Sequence, residues 1–460
     1  MKKSILYLVL ISLFINKINA QYSIGHTTIN FIDSSRNNRV IQTEVYYPAL
    51  TNGEDIPCAN DSFPSVVFGH GFVMAWSAYQ NIWEEIVPRG YIMLFPRTEG
   101  NLISTNHQQF GWDLQFLVKA IHKENLNSQS IFYNHVKDAT ALMGHSMGGG
   151  ASFLAADSLC SSNNKYLKTL IGLAPAESTT NGVSSISSAT RVNIPSVIFS
   201  GSQDGVTPPQ DHHIPMYDSL NSNCKTFINI IGGAHCYFAN PNFNCDFGES
   251  TSSSGISITR AQQHAVLFDF VNPWLDYTLK EDCSKFDVFN DSLNSSLRVT
   301  YMQECYSHQI PQIMNQNGVL YTNTPGSSFQ WFVNGNIIPN ATDSSLIPTT
   351  GGIFQVEVFF EDSCSKLSSG YNYVVTSSKV NQVYKNSSIY ILNNPVSNYL
   401  NINSKNPLSS IKIYSITGQL IEEHNSLNAK NIELNVSSFR MGLYIIIINN
   451  QNSLKFIKVK

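Results

Sequence analysis

Residues 143–150 read MGHSMGGG, and within them Gly144-His145-Ser146-Met147-Gly148 forms a Gly-x-Ser-x-Gly element. The run before it, 139–143, is apolar and strand-like, and the run after it, 149–159, is rich in small residues and helix-like. A strand that passes into a helix over so few residues must turn sharply at the serine. Glycine on either side lets the backbones cross without a Cβ clash. Such a turn presents the serine hydroxyl as a nucleophile.

The surrounding sequence supplies the context. Apolar runs at 65–68, 91–95, 139–143, 169–173, 195–199 and 227–231 read as buried parallel strands. Between them, 78–87, 110–122, 149–159 and 214–220 carry helical spacing, and 262–279 reads as a closing helix. Strands alternating with helices predict a doubly wound, mostly parallel α/β sheet. Asp204 follows the apolar run 196–200, and His235 follows 227–231. Serine, acid and histidine in that order, each just past a strand, resemble the α/β-hydrolase arrangement.

Acyl transfer requires a nucleophile, a base for its proton, a group that holds the base, and donors aimed at the developing oxyanion. The residues expected in the first three roles are Ser146, His235 in GGAHCYF and Asp204 in GSQDGVTPP. Glu177, which follows the strand after the nucleophile helix, competes with Asp204 as the acid. His264 falls inside a helical run and reads as structural or surface. The oxyanion donors expected are the backbone N–H groups of Met147 and of Phe72, the latter in the turn GHGFVM. His70 reads equally as a hydrogen-bonded core histidine or as part of a His-Gly element like that of lipases and esterases.

At 460 residues, two or three domains are expected. The chain is 42% hydrophobic and 13% charged with net charge −4, so it offers no basic face for nucleic acid. Residues 1–20 read as a signal peptide: Lys2 and Lys3, an apolar core over 5–15, and the small Ala20 before Gln21. That core is too short to span a membrane. The chain is therefore expected to be secreted, extracellular or on the cell surface. Eight cysteines in an oxidising compartment predict disulfides, and their spacing matches no zinc pattern. No metal and no cofactor is expected. Cys236 and Cys245 bracket a short loop beside His235 and are the favoured pair. Cys283 and Cys305 both lie at the end of the hydrolase region, and Cys364 competes as the partner of Cys305.

After Cys283 helical periodicity stops, and β-rich runs appear at 329–332, 352–360 and 371–376. The segments FQWFVNG, with Trp331, and GIFQVEVFF resemble immunoglobulin-like modules of secreted bacterial proteins, although the Cys–Trp–Cys spacing of true immunoglobulin domains is absent. From about Ser388 the chain shows an Asn-Pro, a strand with the turn Thr417-Gly418-Gln419, the strand start Gly442-Leu443-Tyr444, and a basic end. These four features resemble the C-terminal sorting domain of type IX secretion substrates. The resemblance implies the export machinery as a partner and no chemistry in the tail.

HGF before an aromatic-rich helix, then GHSMGGGAS, GSQDGVTPP, IPMYDSL and GGAH, resemble the cutinase and poly(ethylene terephthalate) hydrolase family over about 63–305. The resemblance implies that Phe72 and Met147 line the acyl pocket, that Val206 is the apolar residue two after the acid, and that Cys283 and Cys305 form a terminal disulfide. Phe72, Trp76 and Tyr237 stand on loops whose shape would set acyl chain length, and Tyr237 joins the expected substrate-binding set. Two departures stand out. The stretch APAESTTNG lacks the tryptophan that the family places there, and Gly201 stands where the plastic-active branch has cysteine.

The expected organisation is a signal peptide (1–20), an α/β-hydrolase domain (21–305), an immunoglobulin-like β module (306–378) and a small all-β sorting domain (388–460). The expected function is that of a secreted, monomeric serine esterase acting on aliphatic esters and polyesters, with poly(ethylene terephthalate) as a weaker candidate substrate. Alternatives are a lipase or small-ester esterase, a secreted peptidase, and a catalytically idle binding module on the same fold.

Overall fold

The computed structural model describes residues 21–177, 182–305, 309–360, 364–374 and 388–459; the expected signal peptide lies outside the described residues. The strands of the large sheet are β1 (Ser23–Asp33), β2 (Arg39–Ala49), β3 (Gly53–Glu54), β4 (Phe63–Gly69) and β5 (Ile92–Pro96), followed by β6 (Val136–His145), β7 (Leu167–Leu173), β8 (Ser196–Gly201), β9 (Cys224–Ile230) and β10 (Val299–Cys305). Around them run α1 (Gln80–Ile86), α2 (His107–Glu124), α3 (Met147–Ser161), α4 (Ser185–Ala189), α5 (His213–Ser219), α6 (Phe243–Ser252), α7 (Arg260–Lys280) and α8 (Ser284–Ser295).

The sheet order is β10-β9-β8-β7-β6-β4-β5-β2-β1-β3. The six inner strands pair in parallel. All seven residues of β4 are buried, as are all of β5 and β8, so these strands read as continuous apolar runs. That is what a sheet covered on both faces requires. On one face, α2, α3 and α5 cover it through Leu114, Leu117, Phe153 and Met216. On the other, α1, α7 and α8 do so through Ile82, Phe270, Trp274 and Phe289. The doubly wound α/β architecture expected from the sequence is therefore present.

The margins carry what the periodicity did not reveal. β1 and β2 form an antiparallel hairpin on one side, and β10 runs antiparallel to β9 on the other. The cysteines divide differently from expectation as well. Cys236 pairs with Cys245, as favoured. Cys305, however, bonds Cys224, and Cys283 bonds Cys364. The expected Cys283–Cys305 staple is thereby corrected. The antiparallel register sets Cys305 directly opposite Cys224 across the β10–β9 pair, which no linear spacing could disclose. Cys283 ties the end of α7 to the module beyond it. Cys58 and Cys160 remain thiols.

The middle module is all-β and antiparallel, with Trp331 fully buried among Leu320, Phe354, Val356 and Val358. The last 72 described residues (388–459) form a separate five-stranded sheet. Thr417-Gly418-Gln419 is its hairpin turn, where Gly418 takes a φ of 85° that glycine accommodates without strain. No helix among the described residues is long and apolar enough to cross a membrane.

Candidate active site

The loops after β4, β6, β8 and β9 meet at the C-terminal end of the parallel strands, where ligand crevices of open α/β sheets form. Ser146 sits between β6 and α3 with φ 55° and ψ −121°, a conformation rarely adopted by a residue with a Cβ. Close approach explains its glycines. A Cβ on Gly148 would lie 2.2 Å from the Gly69 carbonyl, and one on Gly144 would lie 2.3 Å from the Gly148 oxygen. The start of α3 is pressed against β4 and β6, so the turn has no room to relax. Backbone bonds lock it: the Ser146 N–H donates to the Leu173 carbonyl at 3.0 Å, and its own carbonyl accepts from Ala176 at 2.9 Å.

Asp204 and His235 come from the ends of the neighbouring strands β8 and β9. His235 Nδ1 lies 2.8 Å from Asp204 Oδ2, and both side chains are buried. The other carboxylate oxygen, Oδ1, accepts the backbone N–H groups of Val206 (2.9 Å) and Thr207 (2.7 Å). Burial opposes ionisation of Asp204, but the His235 partner and these donors outweigh it and hold its pKa below the usual carboxylate value. The rivals lie elsewhere. The Glu177 carboxylate accepts the Ile186 N–H of α4, and His264 lies on α7 with Nε2 3.2 Å from the Asn81 amide.

Thr207 and His213 were not singled out in the sequence. Thr207 Oγ1 lies 2.8 Å from His235 Nδ1, 3.0 Å from Asp204 Oδ2 and 3.1 Å from His213 Nε2. His213 Nδ1 in turn lies 2.8 Å from Ser200 Oγ. Burial pushes the His213 pKa down to about 3, so the ring is neutral near neutral pH. A hydroxyl three residues after the acid was the available signal, since side-chain oxygens at that spacing often bond back to a carboxylate.

The loop after β4 carries Phe72, which is 45% exposed. Val73 beside it takes φ 56°, strained for a β-branched residue, and its carbonyl accepts from Asn244 of α6 at 3.0 Å. Helix α6 is itself tied to the residue after His235 by the Cys236–Cys245 disulfide. Met147 is the first residue of α3, so its N–H has no partner within the helix. Its side chain is buried in the core beneath, and Val206 is half-buried. Tyr237 is half-buried with the Arg260 guanidinium 4.6 Å from its ring centre. A cavity of about 480 Å³ flanks the same loop, bounded by His70, Met74, Trp76, Arg97 and Glu99. His70 is buried, with its ring nitrogens 2.9 Å and 2.8 Å from the carbonyls of Gly71 and Thr98. No cluster of metal-ligating side chains occurs among the described residues.

Comparison with known proteins gives two family matches and several curated relatives. A family model described as PET hydrolase-like matches residues 19–255, and a secretion system C-terminal sorting domain model matches 388–459. The chain is 26% identical over 180 residues to Cutinase 1 of Thermobifida cellulosilytica, covering 39% of this chain and 63% of that protein. It is also 26% identical over 180 residues to a cutinase of Thermobifida fusca (strain YX), covering 39% of this chain and 54% of that protein. The chain thus spans between about half and two thirds of the length of these relatives. The sorting domain marks the chain for secretion to the extracellular space or cell surface. Since the first model covers just over half of its residues, this chain belongs to the PET hydrolase-like family.

Proposed function

We propose that the protein is a secreted serine esterase that cleaves ester bonds, including those of aliphatic polyesters, through an acyl-enzyme. The observation that carries this reading is the buried His235–Asp204 pair, 2.8 Å apart, at the same end of the sheet as the strained serine elbow. In this mechanism Ser146 Oγ attacks the ester carbonyl carbon while His235 Nε2 takes its proton. Asp204 holds the Nδ1 proton and stabilises the imidazolium. The oxyanion lies between the N–H groups of Phe72 and Met147. Collapse expels the alcohol, which takes the proton from His235. Water then attacks the acyl-enzyme by the same route and releases the acid.

We read Phe72, Val206 and Tyr237, each at least partly exposed, as the side chains that meet an aliphatic acyl chain. A stacked aromatic contact typically contributes about 0.5–1.5 kcal/mol beyond area burial, or roughly three- to tenfold in binding. The missing tryptophan in APAESTTNG therefore demotes aromatic polyesters without forbidding them. We read 21–305 as the catalytic domain, 306–378 as an immunoglobulin-like module, and 388–460 as the sorting domain read by the type IX machinery. The catalytic unit acts as a monomer.

The test is covalent labelling by a fluorophosphonate, then turnover of p-nitrophenyl esters, peptide anilides, polycaprolactone and poly(ethylene terephthalate) film at equal enzyme load. Labelling at Ser146, with aliphatic esters turned over fastest, is expected. A chain that takes no label would be an idle binding module, and preference for anilides would make it a peptidase.

A further inference from the structure

A continuous line of hydrogen bonds crosses from the loop after β4 to the loop after β9, passing behind Ser146. Gly71 N lies 2.8 Å from Tyr79 Oη, Tyr79 Oη lies 2.9 Å from His145 Nδ1, and His145 Nε2 lies 3.0 Å from the His235 carbonyl oxygen. The two ends fix every proton. A backbone N–H can only donate, so Tyr79 Oη accepts from Gly71. A carbonyl can only accept, so the ring proton of His145 sits on Nε2. His145 is fully buried, and desolvation holds its pKa well below the ordinary histidine value, so this is its single ring proton. Nδ1 is then a lone pair, and the Tyr79 hydroxyl donates to it. The Met74 sulfur, 3.3 Å from Tyr79 Oη, is left as a packing contact because the phenol has one proton.

Each anchor adjoins a different part of the site. Gly71 precedes Phe72, His145 precedes Ser146, and the last acceptor is the backbone of His235 itself. The junction is tight: a Cβ on Gly71 would lie 2.6 Å from Met74 Sδ and 3.1 Å from Tyr79 Oη. The loop beyond it is strained at Val73 and is pinned from the other side by Asn244. A loop held in an unfavourable conformation keeps its place only where surrounding bonds over-determine it.

We propose that Tyr79 and His145 are positioning residues that set the spacing between the Phe72 N–H, the Ser146 elbow and the His235 loop. This rests on the roles given above to Ser146 and His235. Removing the phenol oxygen leaves the Gly71 N–H and the His145 lone pair buried without partners and frees the imidazole to change tautomer.

The test compares wild type, Tyr79→Phe, His145→Phe and the double variant on a soluble p-nitrophenyl ester, well below the unfolding midpoint. kcat is expressed per site titrated with a fluorophosphonate, so that misfolded protein does not count. Tyr79→Phe is expected to lower kcat per titrated site about tenfold, with KM changed less than about threefold. The double variant should lose little more than the more damaging single change, as residues acting in one line do. A kcat per titrated site within about twofold of wild type in Tyr79→Phe, even if fewer sites titrate, would reduce the line to a structural role and overturn the proposal, as would losses that multiply. A wild type that takes no label and turns over no ester would bring down the esterase reading itself. An active wild type with a silent Tyr79→Phe sinks only the positioning role.

Discussion

The loop cluster around Ser146 and the C-terminal sheet are held together by opposite means. In the tail, Leu400, Ile402, Ile411, Ile413, Ile446 and Ile448 are buried while the residues between them, Asn401, Lys412 and Ile447, are only half-buried, so apolar burial on one face does most of the stabilising. In the loop cluster the buried groups are polar: His70, His145, Asp204, His213 and His235 are each at most 4% exposed. They are tolerated there because each bonds a named partner, and removing one member strands another. Substitutions should therefore act strongly and locally in the first region and weakly, on anything but export, in the second.

The largest effect expected is that of Ser146→Ala. It should lower kcat by about 10⁴–10⁶ while leaving Tm nearly unchanged, since the hydroxyl supplies chemistry and little packing. Ester hydrolysis within tenfold of wild type would break the comparison at its centre.

Next come the two carboxylates. Asp204→Asn should lower kcat by about 10³–10⁴, because an amide favours the wrong imidazole tautomer. Glu177→Gln should change it less than about threefold, since that side chain accepts the Ile186 N–H of α4 and an amide oxygen can do the same. Reversed results would move the acid to the end of β7.

Acid stability sharpens the contrast further. Burial lowers the His213 pKa to about 3 and that of His122 to about 4, from an ordinary 6.5. The unfolded chain therefore binds protons that the folded chain refuses, and stability that is complete above about pH 6.5 drains away as the pH falls toward 3–4. Asp204, whose pKa is depressed from 3.8, adds to the loss only near and below that value. Each such histidine contributes a slope of up to about 1.4 kcal/mol per pH unit. Chemical denaturation from pH 8 to pH 4 should show this slope, and His213→Asn should flatten it by about one proton. A stability flat across that range would contradict the burial of these rings as neutral groups.

The smallest effect expected is that of removing residues 388–460. Purified enzyme should keep kcat and Tm of the catalytic unit within error, and in the native host the truncated chain should be retained inside the cell. Loss of activity in vitro would show that the two regions are not separable.

Much of the fold was legible because its signals are local. Continuous apolar runs announced the parallel strands, and glycines flanking Ser146 announced the turn. The antiparallel margins were not legible, because the buried positions of β1 include Gly25, Thr27 and Asp33, β2 buries consecutive residues instead of alternating, and β10 joins only through its register with β9. Ser146, Asp204 and His235 could be nominated from chain order, each just past a strand. Thr207 carried one local signal, a hydroxyl three residues after the acid, and His213 carried none, because Thr207 and Ser200 meet its ring only in the folded loops.

The sequence by itself determined the periodicities, the elbow glycines, the order of the candidate residues and the change of texture after Cys283. These depend on neighbours within a few positions, where backbone sterics and apolar patterning act directly. Tertiary structure alone decided that Cys224 meets Cys305 and Cys283 meets Cys364, each across 81 residues. It alone decided that Tyr79 reaches His145 across 66 residues, and that His145 reaches the His235 carbonyl across 90. Hydrogen bonds and disulfides act over a few ångströms, and which distant side chains come that close is set by how strands and helices pack, not by their spacing along the chain.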